Sequence, residues 1–408
     1  MAASAEKTKE KLIDGGLLRL MFGHGAQALG YSSMPMLPIL LVYYGASREE
    51  VGWVMAAGSA GGLLFRPVVG WALDTWGKVR TLTVGTTILA MAMMSMGLIE
   101  EVNWVAYGAR FLFGIGAGIC FTGYFALATD LIPKERRTEG TAIFGVSGLL
   151  PLALNPIWDS VAESPEQISF VFPLLGFCVL FSLITFAWSF DRRGKSEPQS
   201  KSAEVPKARS TWRELLTLDT ASIWWMTPFF GGTVSAFLVH ALVSAEERGL
   251  DGAVWMWVAY AASAIAVRLG GGALPDRFGN HNFIVPACAA YVGAAWCMAG
   301  AESWMMATVA GGLAGLGHGY CFPILVSSLM TRVPEAMRGR AMAGFTGLWD
   351  IASLIAAPTV GKGIDLYGDS LAFWAMGSTA LLGVSGWAIL EYFSLRSYRA
   401  RQLALKGA

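Results

Sequence analysis

Charge is scarce in this chain. Of its 408 residues, 14% are Asp, Glu, Lys or Arg and 54% are hydrophobic. Soluble domains carry about 25% charged residues, so the composition excludes an ordinary water-soluble protein and places the chain in a lipid bilayer. The 30 basic residues meet 29 acidic ones, which leaves no basic excess for nucleic acid. Cysteines are few: Cys120, Cys178, Cys288, Cys297 and Cys321 all sit in apolar segments without a paired spacing, and they read as small buried hydrophobes. No Gly-x-x-x-x-Gly-Lys-Ser/Thr phosphate loop occurs, so nucleoside triphosphate hydrolysis is not the expected energy source. No nucleophile–base or metal-ligand spacing stands out in the loops. Neither an enzyme nor a bound cofactor or metal is expected. A small-residue cleavage site behind the first apolar run is also missing, and that run is read as a retained helix.

Long apolar runs are abundant. They fall near residues 14–42, 50–72, 82–99, 104–129, 139–160 and 168–190, then near 220–243, 252–274, 283–300, 304–330, 340–360 and 371–393. A membrane-crossing helix needs about 20 apolar residues. The fold class expected is therefore all-α, with twelve transmembrane helices in two pseudo-symmetric six-helix bundles. The bundles are expected over 14–190 and 218–393, with a polar N-terminal segment 1–13, a Lys/Arg/Ser/Pro-rich linker 191–217 and a tail 394–408. With both termini in the cytoplasm, Lys78, Arg80, Arg136, Arg137, the linker cations, Arg332, Arg338, Arg340 and the tail all lie inside. Only Arg48, Arg248 and Lys362 remain outside, among many Glu and Asp residues. That asymmetry fixes the expected orientation in a cell (inner) membrane.

The halves repeat one another. Arg66, Gly70 and Asp74 return as Arg268, Gly272 and Asp276, an offset of 202 (66 to 268). Gly118, Cys120, Phe121, Pro133, Arg137 and Phe144 return as Gly319, Cys321, Phe322, Pro334, Arg338 and Phe345, an offset of 201 (118 to 319). Two similar halves meeting around a central site is a recurrent design of secondary transporters.

The turn between spans two and three reads Gly70-x-x-Leu73-Asp74-x-x-Gly77-Lys78-x-Arg80, and span four carries Arg110-x-x-x-Gly114-x-Gly116-x-Gly118 before Asp130-Leu131-Ile132-Pro133. On these motifs the chain resembles the major facilitator superfamily over essentially its whole length. Among its members it looks most like bacterial drug- and metabolite-efflux proteins, which often carry Arg-Pro before the turn, as Arg66-Pro67 does here. The resemblance implies alternating access by two rocking bundles. It also implies that Asp74 caps the start of span eleven near Arg338, and that Asp276 does the same for span five near Arg137. Gly70, Gly77, Arg80, Gly272 and Gly279 complete these expected gates. Span five departs from the efflux pattern: Gly145-Val-Ser-Gly148-Leu-Leu-Pro151 holds no Gly-Pro pair.

Ionisable residues inside a span mark a pathway by default. Asp350 lies about ten residues into span eleven and is the first candidate for proton coupling. His318 in span ten is placed to work with it, and Arg110, which the resemblance points into the bundle, is the second coupling candidate. His24 and Gln27 lie mid-span in the first helix, with packing as an equal reading for His24. Tyr31, Phe113, Phe322 and Trp349 are candidate cavity-lining aromatics. Arg66 and Arg268 are read as snorkelling to the nearby interface. The function expected is proton-driven export of a small amphipathic organic compound by a monomer. The alternatives are a proton-coupled symporter for an organic anion, which the altered span five favours, and a membrane receptor or assembly partner that transports nothing.

Overall fold

The computed structural model describes residues 14–133, 137–162, 164–190, 215–271, 274–334 and 337–407. Among these the chain is helical, with no strand. The N-terminal half holds α1 (Gly15–Ser32), α2 (Met36–Tyr43), α3 (Arg48–Thr75), α4 (Lys78–Met96), α5 (Trp104–Leu131), α6 (Arg137–Leu149), α7 (Asn155–Val161) and α8 (Pro165–Phe190). The C-terminal half holds α9 (Ala221–Glu247), α10 (Trp255–Gly270), α11 (Leu274–Phe278), α12 (Asn280–Ala299), α13 (Trp304–Arg332), α14 (Arg338–Tyr367) and α15 (Asp369–Gly407).

Among the described residues, eight helices are long and apolar enough to cross a membrane: α4, α5, α8, α9 with the turn before it, α12, α13, α14 and α15. The remaining helices fail that test for visible reasons. The first apolar run breaks into α1 and α2 just before Pro35 and Pro38. The fifth breaks around a 3-10 turn, Leu150–Leu154, which carries Pro151 and is followed by Pro156. The eighth breaks between α10 and α11 at the glycines that begin with Gly270. Proline removes a helical donor, and glycine costs helix stability. The long α3 is continuous but carries Arg66 and Asp74.

The repeat seen in the sequence is also a structural one. Asn103 caps α5 by accepting from the Val105 N–H at 2.8 Å, and Ser303 takes the same position before α13. Gly77 and Gly279, which open α4 and α12, have φ of 82° and 92°. Only glycine enters that left-handed region without a Cβ penalty of about 1–2 kcal/mol, which is why both turns carry it.

Among the described residues two large hydrophobic cores form, one from residues between Leu17 and Val179 and one from residues between Leu215 and Trp387, beside a small one of Val69, Ile115 and Ile119. Within each large core, glycine permits backbone contact. A Cβ on Gly114 would lie 1.7 Å from the Gly58 carbonyl oxygen, and one on Gly315 would lie 2.1 Å from that of Tyr260. Thus α5 presses on α3, and α13 presses on α10 in the same manner. Val239 and Ala357 of the C-terminal half join the first core, so the two halves share apolar packing as well as polar contacts.

Candidate functional site

The long antiparallel pair α3 and α14 joins the halves. At the α3 N-terminus, Arg48 is 4% exposed, and both terminal nitrogens of its guanidinium bond the C-terminal half. It donates to Glu247 at 2.7 Å, to Ser244 Oγ at 2.8 Å and to the His240 carbonyl at 3.0 Å. The Asp365 carboxylate of α14 accepts from the backbone N–H groups of Arg48 (2.9 Å) and Glu49 (2.7 Å). A helix N-terminus has unsatisfied donors and a positive dipole end, so Asp365 caps α3 from the opposite half. Ser47 and Glu50 close the same end with a capping box. The glycines are again decisive, since a Cβ on Gly52 would fall 2.4 Å from Pro358 Cα.

At the opposite end Asp74 makes no bond to the described start of α14, where the resemblance implies one. Asp74 and Arg80 are exposed, and Asp74 has no hydrogen bond or ion pair to a described residue. Nothing lies within 4 Å of a Cβ built on Gly70. Arg338 donates to the Met330 carbonyl at 3.0 Å within its own half. Lys78 bridges to Asp130 at 2.6 Å, tying the start of α4 to the end of α5. Gly272 lies outside the described residues, as do the side chains of Arg137, Asp276 and Tyr31. The trans-capping interaction expected at Asp74 is therefore found at the other end of the same helix, on a carboxylate that carries no motif.

Between these ends Arg66 pairs with Asp350, one guanidinium nitrogen reaching the carboxylate and another the Thr346 hydroxyl. The side chains are 31% and 19% exposed. This corrects the snorkelling reading of Arg66. The apolar run in the sequence ends near residue 72, but α3 continues to Thr75. Arg66 is therefore about 14 Å from the helix end at 1.5 Å per residue, deep enough to reach across the interface rather than out to it. Arg268 is corrected likewise: its guanidinium faces Gly145 on α6 of the other half instead of the membrane surface.

The other candidates separate into two groups. In the N-terminal half His24 is 4% exposed, with Nδ1 2.8 Å from Ser147 Oγ and its ring stacked on Phe144 at 4.7 Å. Gln27 is fully buried nearby on α1. Arg110 stays inside this half, donating to the Met55 carbonyl at 3.2 Å with its guanidinium 4.6 Å from the Phe113 ring centroid. In the C-terminal half His318 bonds the Tyr260 hydroxyl. Its ring lies 6.3 Å from Trp349, which in turn lies 5.3 Å from Phe230 and 5.8 Å from Phe322. His318 makes no hydrogen bond to Asp350, and Arg110 and Phe113 are not brought to the aromatic cluster. Arg66 and Tyr260 are the partners that the sequence reading missed. Only the repeat, which pairs Arg66 with Arg268, gave a signal for the first.

The sequence profile of the Major Facilitator Superfamily matches residues 20–357. The chain belongs to that superfamily. It is a membrane transporter and not an enzyme. It is 25% identical over 153 residues to the staphylopine export protein of Staphylococcus aureus, a match covering 35% of this chain and 37% of that protein. The chain thus spans about a third of that curated relative. With the multidrug efflux pump PmrA of Streptococcus pneumoniae it shares 21% identity over 343 residues, 81% of this chain and 84% of the pump. A crystal structure of a peptide transporter superposes with a TM-score of 0.74 at 14% identity, covering 94% of this chain and 95% of the other. At that identity the superposition speaks for the fold.

Proposed function

We propose that this chain is a monomeric twelve-span transporter of two six-helix bundles in the cell (inner) membrane, with both termini cytoplasmic. It exports a small amphipathic organic compound against proton entry. The observation that carries the reading is the Arg66–Asp350 pair, a titratable bridge between halves placed well inside the span. Protonation of Asp350 removes the charge that holds Arg66, and the two helices are then held at that level by packing and the neutral Thr346 bond alone. Loss of the proton restores the pair. Proton entry is thereby tied to separation of the halves, which is what coupled exchange requires. In this orientation the Arg48 end faces outward and the unbonded Asp74 end faces the cytoplasm, so the conformation is closed outside and loads from within. The relatives named for export and efflux support the direction.

The test is proton flux in liposomes that hold the purified protein, with amphipathic cations, neutral compounds and organic acids supplied outside. Alkalinisation of an acid-loaded lumen that disappears in Asp350→Asn is the expected result. Lumen acidification with an organic acid would reverse the direction. Wild-type exchange by Asp350→Asn would sink the coupling mechanism.

A further inference from the structure

The pseudo-symmetry has one unequal element. Arg66 on α3 meets Thr346 and Asp350, which are one turn apart on α14. Its repeat counterpart Arg268 on α10 meets α6, and at the offset of 201 the counterparts of Thr346 and Asp350 are Gly145 and Leu149. Gly145 is where Arg268 points: a Cβ there would lie 2.6 Å from Nη1. Arg268 is partly buried: its Nε is wholly shielded from solvent, and its guanidinium has no hydrogen bond or ion pair to any described residue. A partly desolvated guanidinium with no anion beside it is costly. Its neighbours by electrostatic reach are Tyr260 and His318, and behind His318 stand Trp349, Phe230 and Phe322.

From this geometry we infer that the anion missing beside Arg268 is supplied by the transported compound: a small organic carboxylate whose flat apolar body rests on the part-exposed rings of Trp349 and Phe322, which the buried Phe230 backs. Guanidinium and carboxylate match as a two-pronged pair, and the glycine at position 145 lets the Arg268 guanidinium lie against α6 where Thr346 stands in the other half. The site lies on the C-terminal half, and only Gly145 of α6 faces Arg268 from the other half. The proposal rests on the transporter reading, and it narrows the amphipathic substrate to one that carries a negative group.

Three probes of one shape separate charge from body: 2-naphthoate, 2-naphthamide and 2-naphthylmethylammonium, titrated onto the purified full-length protein by intrinsic tryptophan fluorescence without any gradient. We expect the carboxylate to bind about tenfold or more tightly than the other two, since a charge-assisted hydrogen bond contributes about 1.5–3 kcal/mol. Arg268→Gln removes that preference. Leu149→Asp removes it too by supplying an internal carboxylate, whereas Leu149→Asn retains it, which keeps the test decisive should Arg268→Gln fold poorly. Equal binding of the three probes, no carboxylate binding at millimolar concentration, or a preference that survives both Arg268→Gln and Leu149→Asp overturns the site. Because binding is read without proton flux, failure of Asp350 coupling with this pattern intact would remove the proton mechanism alone.

Discussion

The Arg48 cluster fixes how easily the Arg48 end opens, and its removal has a calculable effect. Arg48→Ala deletes three hydrogen bonds that cross between the halves, to Glu247, Ser244 and the His240 carbonyl. Bonds to charged donors contribute about 1.5–3 kcal/mol each, but Glu247 is 40% exposed and regains water once released. A net loss of about 2–3 kcal/mol is therefore reasonable, equal to about a 30- to 140-fold shift toward the open arrangement at about 1.4 kcal/mol per decade. The reporter is Val239→Cys, a residue of the C-terminal half that is 5% exposed within the N-terminal core. Labelling of that cysteine by a membrane-impermeant maleimide added to the outside should accelerate by about one to two orders of magnitude when Arg48→Ala is added. An unchanged labelling rate, with the protein still folded by size exclusion, would refute the assignment of this cluster as the latch.

Other consequences are more local. Gly114→Ala should abolish accumulation of folded protein, because its Cβ meets the Gly58 carbonyl oxygen at 1.7 Å. Gly70→Ala should leave thermal stability intact and affect transport alone, since nothing lies near it in this conformation. Arg332 and Glu391, each 7% exposed, form a buried pair shared with Ser222. Arg332→Gln should cost about 3–5 kcal/mol, the usual range for one stranded partner, and Arg332→Leu with Glu391→Leu should recover much of that in thermal denaturation. His24→Gln should lower stability by about 1–2 kcal/mol through lost stacking and its Ser147 bond, and transport by the folded fraction should be unchanged.

The fold was legible because its signals are collective. Low charge, regular apolar runs and a repeat that carries Arg66, Gly70 and Asp74 onto Arg268, Gly272 and Asp276 do not depend on any one residue. Left-handed glycines at 77 and 279 explain why the repeat keeps them. The site was less legible because it is made of pairings between distant helices. Asp350 stood out as a lone acid in a span, but nothing local identified Arg66 as its partner, and an error of three residues in a helix end was enough to assign that arginine to the membrane surface. Asp365 belongs to no motif, yet it caps a helix of the other half. His318 was expected beside Asp350 through helix adjacency; its ring instead satisfies Tyr260.

The separation of Arg66 from Asp350 also matters while the chain is being made. The two are 284 residues apart, so at about 5–20 residues per second Arg66 precedes its partner by tens of seconds. A lone arginine at the middle of an inserting helix is unfavourable by about 2.5–3.5 kcal/mol. During that interval α3 has reason to ride higher or lower in the bilayer and let Arg66 reach the headgroups. Snorkelling therefore describes the nascent helix, and arrival of α14 draws it to its final depth. A ribosome-tethered chain that stops before Asp350 should show Arg66 accessible to water, and one that extends past α14 should not.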